Sequence, residues 1–349
     1  MNPDFTGDAV LSEMVAEVGA ASPLYRPSNF WNNLNQANLE MLETHGLDNF
    51  KRTVAQNYYN WMVIGLRDNQ LRSLVRDWFL HPSMRPFLNS IEVPDILRTT
   101  VGLERRIGWR EMAVYKIFVG LLWEFTRRHD RTGLSQQLQE PSIGNPIVIR
   151  RKSRLISQDL ANSIREFGAI REAHPALGRS RTTIAELGAG YGRLAFVALS
   201  APESRYIVFD IPPALRVSQW YLTQIFGKEK IFPFRRFRRY ADIRDELEAS
   251  RIGFFTPNQI EMFPDRVFDV FVTVSTLSEM RADQTRNYLQ QMQRTVRDVV
   301  YLKQWASWQN VEDGRSFSRA DISFSELTCV MDRNDAVQDR FLEQVWKRI

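Results

Sequence analysis

The sequence predicts an α/β fold, a doubly wound parallel sheet with helices on both faces, preceded by a mainly helical region. Three observations predict it. Beyond about residue 139, short apolar runs alternate with helical segments, the grammar of βα units. One run ends in Glu186-Leu-Gly188-Ala189-Gly190-Tyr191-Gly192, a glycine turn that opens a helix. Before that boundary apolar residues recur at three- and four-residue steps. The expected division is therefore a helical part over 1–138 and a ligand-binding sheet domain over 139–349.

In the first part, helical spacing is read over residues 30–42, 54–66, 71–80 and 110–125. Pro82, Pro86 and Pro94 punctuate the connections, because proline cannot donate into a continuing helix. Glu140-Pro-Ser-Ile-Gly-Asn-Pro146 marks the boundary, and residues 155–167 give one more amphipathic helix. Strands are expected at 183–187, 205–210, 231–234, 268–275 and 299–303. Pro233 demotes the third of these to an edge or an irregular strand.

Composition narrows the classes. A chain of 349 residues with 44% hydrophobic and 12% aromatic content can fill a packed core. The apolar stretches fall short of the roughly 20 residues that span a bilayer, and the first residues lack a signal-peptide pattern. One cysteine, Cys329, excludes an internal disulfide and a multi-cysteine metal site, so a cytoplasmic location is expected. The net charge of +5 arises from interspersed Arg and acidic residues, which reads as a mixed surface with no nucleic-acid partner; an acidic substrate would suit the same charge. Arg235, Arg236, Arg238 and Arg239, interleaved with Phe234, Phe237 and Tyr240, could hold a diphosphate or stay solvated.

The glycine spacing bears on the ligand. A dinucleotide fingerprint needs Gly-x-Gly-x-x-Gly, whereas here Gly192 comes one place early and Arg193 follows it; no Gly-Lys-Ser/Thr makes a phosphate loop. With an acid two positions before the first glycine, the pattern favours S-adenosyl-L-methionine. Gly188, Ala189, Gly190, Tyr191 and Gly192 would cradle it, with Glu186 near its cationic end. Asp210 ends the second strand about 20 residues on, the separation expected for a carboxylate that accepts from ribose hydroxyls. Ile211 follows it in Ile211-Pro-Pro-Ala214, which also looks like a helix start that Asp210 could cap. Gln158 and Asn162 are four apart on one helical face and could reach the methionine end, or face solvent.

With these residues in view, the chain resembles the bacterial sugar O-methyltransferases, a family of the Rossmann-like class I methyltransferase fold. The likeness spans Phe30-Trp31, Gly46-Leu-Asp-Asn-Phe-Lys-Arg-Thr53 with Tyr58, Glu140 to Pro146, and Ile156-Ser-Gln-Asp-Leu-Ala-Asn-Ser163. It continues through Phe209-Asp-Ile-Pro-Pro-Ala-Leu215 and Ser275-Thr-Leu-Ser-Glu-Met280. The resemblance implies methyl transfer to a hydroxyl of a sugar, nucleotide sugar or glycan intermediate.

A sugar hydroxyl is a weak nucleophile at neutral pH, so a base within hydrogen-bond reach is expected. In such a sheet the site lies beyond the carboxyl ends of the strands. That points to Glu279 as base, with Ser275 and Ser278 orienting the acceptor; Glu279 could instead stabilise the start of the next helix. Trp305, after Lys303 at the end of the fifth strand, could stack on a sugar or pack in the core. No metal is expected, because His45, His81, His129 and His174 are scattered; magnesium would need Asp210, Glu279 and Asp283 to converge. The helical part could cover the acceptor or form the surface of a homo-oligomer. An RNA or protein methyltransferase and a catalytically silent scaffold are the alternatives. Against the first, Ser275-Thr-Leu-Ser278 stands where many base-methylating enzymes carry Asn/Asp-Pro-Pro-Tyr.

Overall fold

The computed structural model describes residues 8–54, 62–63, 65–80, 108–147, 149–151 and 153–348. Tyr58, His81, Pro82, Pro86, Pro94 and most of the expected helix over 54–66 lie outside these residues, and the described parts of that stretch are not helical. The first part holds α1 (Ala9–Ala20), α2 (Asn29–His45), α3 (Asn69–Leu80), α4 (Trp109–His129) and the short α5 (Leu134–Gln137). Ser28 starts α2 by accepting from the Trp31 amide, satisfying one of the donors that a helix start leaves free.

A small hairpin, β1 (Ile149–Arg151) with β2 (Arg154–Ile156), precedes α6 (Gln158–Ala173), so the helix expected from 155 begins three residues later. The Ser157 hydroxyl accepts from the Leu160 amide at that start. The sheet domain continues as β3 (Thr182–Leu187), α7 (Arg193–Leu199), β4 (Ser204–Phe209), α8 (Ala214–Phe226), β5 (Ile231–Phe232), α9 (Arg244–Ala249), β6 (Ile252–Phe255) and β7 (Phe268–Val274). Then follow α10 (Ala282–Thr295), β8 (Val296–Trp305), a hairpin of β9 (Ser307–Asn310) and β10 (Arg315–Ser318), β11 (Thr328–Asn334) and β12 (Phe341–Lys347).

The eight-stranded sheet has the order β11-β12-β8-β7-β3-β4-β6-β5. The run from β5 to β8 is parallel, and β12 then pairs antiparallel with both β8 and β11. The chain enters the sheet at β3, winds outward through β4 and β6, then returns to β7 and β8. The order reverses at β3, which opens a crevice at its carboxyl end. This is the expected doubly wound sheet with a helical N-terminal region, with two corrections, the first being the antiparallel β12 and β11, which no expected strand covered. The second is that the third inner strand is β6, and the segment at 231–234 contributes only the two-residue edge strand β5. Pro233 ends that ladder as its missing N–H requires.

The core is continuous between the two parts. Leu42, Phe50, Tyr115 and Phe118 belong to the same buried cluster as Phe167, Ile184 and Val208. A second cluster on the other side of the sheet is aromatic, with Phe209 and Phe263 rings 5.4 Å apart.

A buried ionic network fastens α6 and α7 to the sheet. Arg193 Nη1 lies 2.6 Å from Glu166 Oε2, Lys303 Nζ is 3.3 Å from Glu166 and 3.0 Å from Asp335, and Arg165 Nη2 is 2.9 Å from Asp335. Burial alone would raise both carboxyls; the neighbouring cations outweigh it and hold Glu166 and Asp335 below the ordinary range. Lys303 is thus a structural cation and not part of a site. Removing its charge should leave two buried acids less compensated: Lys303→Met is expected to cost about 3 kcal/mol of unfolding free energy in urea, whereas an unchanged midpoint would show that the arginines alone suffice.

Candidate active site

The crevice at the head of β3 is formed by backbone that only glycine adopts readily. Gly188, Gly190 and Gly192 have φ of 74°, 59° and 87°. A Cβ on Gly188 would lie 2.2 Å from Thr276 Oγ1, so the turn sits directly against the loop after β7. Gly192 caps α7, whose first residue Arg193 is held by Glu166. The loop is therefore fixed on both flanks.

Across it stands Asp210, immediately after β4. Its two carboxylate oxygens accept from the Gly190 and Ile211 amides, each at 2.7 Å. Burial raises its pKa to about 7 despite these bonds. The loop after β7 contains a 3₁₀ turn, Leu277–Glu279, which brings Glu279 to the same opening. Glu279 is 6% exposed, and burial, with Asp210 adding to it, holds its carboxyl well above the usual range. Its Oε2 accepts from the Trp31 indole N–H at 3.1 Å, and its carbonyl accepts from the Ser28 hydroxyl at 2.8 Å.

These groups line one cavity of about 600 Å³, open space at its mouth included. Of the residues singled out from the sequence, Gly188, Gly190, Asp210, Ile211, Ser275 and Glu279 line it. Ser275 has φ 53°, a left-handed conformation that is rare outside glycine and concentrates at functional sites. Tyr25 and Trp31 of the helical part and Tyr288 of α10 supply aromatic walls. Sequence reasoning did not assign a site role to these three, since no spacing links residues 25, 31 and 288 to a turn at 188.

The remaining expected residues lie behind the cavity. Glu186 accepts from the Tyr206 hydroxyl at 2.7 Å, and burial raises its pKa to about 7. The Tyr191 hydroxyl donates to Asp159 at 2.6 Å, and its ring packs against Phe50 and Tyr221 with Lys51 Nζ 5.2 Å from its centroid. Lys51 is also paired with Glu140, which accepts from Ser157 at 2.6 Å. The segments around 51, 140 and 157 thus converge beneath the glycine turn. Ala189, Gly192 and Ser278 are absent from the lining, as are Gln158 and Asn162, which are buried and not solvent-facing. Among the described residues, Gln158 Oε1, Asp159 Oδ1 and Ser278 Oγ are buried without a hydrogen-bond partner.

Three of the four clustered arginines, Arg235, Arg236 and Arg239, are paired with acids. Arg236 pairs with Glu17 at 3.1 Å and Arg239 with Asp242 at 2.9 Å, while Phe237 and Tyr240 pack on Phe263. Trp305 packs on Phe341 with ring centroids 4.5 Å apart, a core contact. Asp283 is paired with Arg281 at 3.0 Å, so it does not join Asp210 and Glu279. Among the described residues no three His, Cys, Asp or Glu side chains form a metal cluster, and no helix is long and apolar enough to cross a membrane.

No family profile and no curated protein matches the chain. Solved structures do. The mitomycin 7-O-methyltransferase is 14% identical, with 81% of this chain and 74% of that chain covered and a TM-score of 0.39. The magnesium protoporphyrin IX methyltransferase of Synechocystis PCC 6803, with S-adenosylhomocysteine bound, is 8% identical over 55% of this chain and 86% of that one, TM-score 0.39. The 1,6-didemethyltoxoflavin-N1-methyltransferase of Burkholderia thailandensis is 16% identical over 55% and 78%, TM-score 0.39.

Proposed function

We propose that the chain transfers a methyl group from S-adenosyl-L-methionine to a hydroxyl of a sugar, nucleotide sugar or glycosylated small molecule. The observation that carries this is the burial of two carboxyl groups, Asp210 and Glu279, in one cavity at the head of the first inner strand. Uncompensated acids in a low-dielectric pocket are costly, and a cationic ligand offsets that cost.

The residues fit the cofactor. Asp210 would accept from its ribose hydroxyls, and Gly188 and Gly190 allow close backbone approach. Gln158 and Asp159 lie behind the turn and outside the cavity lining, so they would act on the cofactor only through the turn that Tyr191 ties to Asp159. When bound, S-adenosylmethionine supplies an electrophilic methyl group on a positively charged sulfur. Glu279 takes the proton of the attacking hydroxyl, with one oxygen already fixed by Trp31. Ser275, in its strained conformation, orients the acceptor. The rings of Tyr25, Trp31 and Tyr288 exclude water and suit the apolar face of a sugar. The same proposal treats 1–138 as the roof and 139–349 as the cofactor-binding part, in a cytoplasmic protein.

Two outcomes follow. Both carboxyls have raised pKa values, so a cation entering the cavity should expel protons, most at pH below about 7 and less as Asp210 ionises unaided above it. Calorimetry in buffers of different ionisation enthalpy should record more proton release with S-adenosylmethionine than with S-adenosylhomocysteine, whose sulfur is neutral; equal release would mean the acids do not sense the sulfonium. In a labelled-methyl screen over nucleotide sugars and glycan intermediates, Glu279→Gln should lower turnover by about 10²–10⁴-fold while binding S-adenosylhomocysteine normally. Unchanged turnover would remove Glu279 from the chemistry.

A further inference from the structure

The β9–β10 hairpin follows β8 in the chain and lies outside the main sheet, and Gly314 in its turn stands between Asp313 and Arg315. Arg315 is 8% exposed, and its Nη1 donates to the Met280 carbonyl at 2.6 Å, to the Leu277 carbonyl at 3.3 Å and to Thr285 Oγ1 at 2.6 Å. The two carbonyls flank Glu279 in sequence. Thr285 in turn donates to the Leu277 carbonyl at 3.1 Å. A single guanidinium therefore pins the 3₁₀ turn to the start of α10.

Asp313 acts on the other side of the same carboxylate. Its oxygens accept from the Asn29 and Phe30 amides at 3.0 and 3.3 Å, holding the first turn of α2. The next residue is Trp31, whose indole N–H reaches Glu279. Asn310 braces Asp313 through a bond to its carboxylate at 3.0 Å. The hairpin thus grips the backbone beneath Glu279 with one residue and the helix that bonds the Glu279 side chain with another.

We propose that this hairpin is a clamp that sets the direction of the Glu279 carboxylate, with Arg315, Asp313 and Trp31 as positioning residues. The inference rests on the reading of Glu279 as base, because a carboxylate held from two sides keeps one oxygen occupied by Trp31 and the other directed at an acceptor. A clamp supplied by residues far along the chain also allows the turn after β7 to be short, without its own helix to stiffen it. The other ionisable groups lining the same cavity are Asp210 after β4, Tyr25 and Arg26 ahead of α2, and Tyr288 from α10.

The test needs neither acceptor nor cofactor. In protein labelled with ¹⁵N at tryptophan indoles, the Trp31 resonance is identified by its loss in Trp31→Phe and is expected to shift with pH as Glu279 ionises. That shift should vanish in Glu279→Gln. In Arg315→Met the resonance should lose its pH response, and its hydrogen exchange should rise tenfold or more, while Arg315→Lys restores part of the response. A folded Arg315→Met protein with the wild-type titration would overturn the clamp, as would a Trp31 resonance indifferent to Glu279→Gln. If Trp31→Phe does not fold, comparing spectra of wild type and Glu279→Gln identifies the same resonance. Titration of S-adenosylmethionine into wild type, read separately, reports whether the cofactor reading fails, and its result does not bear on the clamp.

Discussion

The hydrogen bond from the Gly190 amide to the Asp210 carboxylate joins the head of the first inner strand to the end of its neighbour, and the rest of the site is arranged around it. For that amide to point at Asp210, the chain must turn with positive φ at three alternating residues. Any side chain at the first would collide with Thr276. The loop after β7 can approach only because the glycine leaves room, and its approach is what brings Glu279 to the cavity. One local backbone requirement therefore fixes where both carboxylates stand.

Two kinds of buried charge coexist and do different things. The Arg193–Glu166–Lys303–Asp335–Arg165 chain is closed, each acid facing cations within hydrogen-bond distance, and its carboxyls sit below the ordinary range. Asp210 faces two amides and Glu279 an indole, and the carboxyls of both sit above it. The first arrangement is structural, since it fastens α6 and α7 to the sheet. The second lines the cavity proposed for S-adenosylmethionine, together with Arg26, and its acids favour the protonated form until a cation enters. The helical part contributes to that second arrangement directly, because Trp31 and Ser28 hold Glu279.

Much of this was legible in the sequence. Apolar runs gave β3, β4, β7 and β8, and the glycine turn with the acid after β4 located the crevice. Gln158 and Asn162 illustrate a limit: helical spacing set them on one face, but whether that face met solvent or core depended on α4 and α7 packing over it. The strand β6 was missed because Ile-Gly-Phe-Phe is short and lacks alternation, and Gly253 reads as a breaker, whereas a Cβ there would come within 2.8 Å of Leu247 and Phe255. The late strand β11 is an exposed, charged edge, and β12, although mostly buried beside β8, carries Glu343 and Gln344 at its middle, which hides their period. Trp31 and Arg315 reach the site from roughly 250 residues before and about 35 after Glu279, a convergence made by topology that no local pattern encodes.

The most direct measurement is isothermal titration of S-adenosylhomocysteine into the wild-type chain and into Asp210→Ala. The account predicts saturable binding at one site per chain in the wild type and a loss of at least tenfold in affinity in the variant. No binding to the wild type, or equal affinity in both, would contradict it.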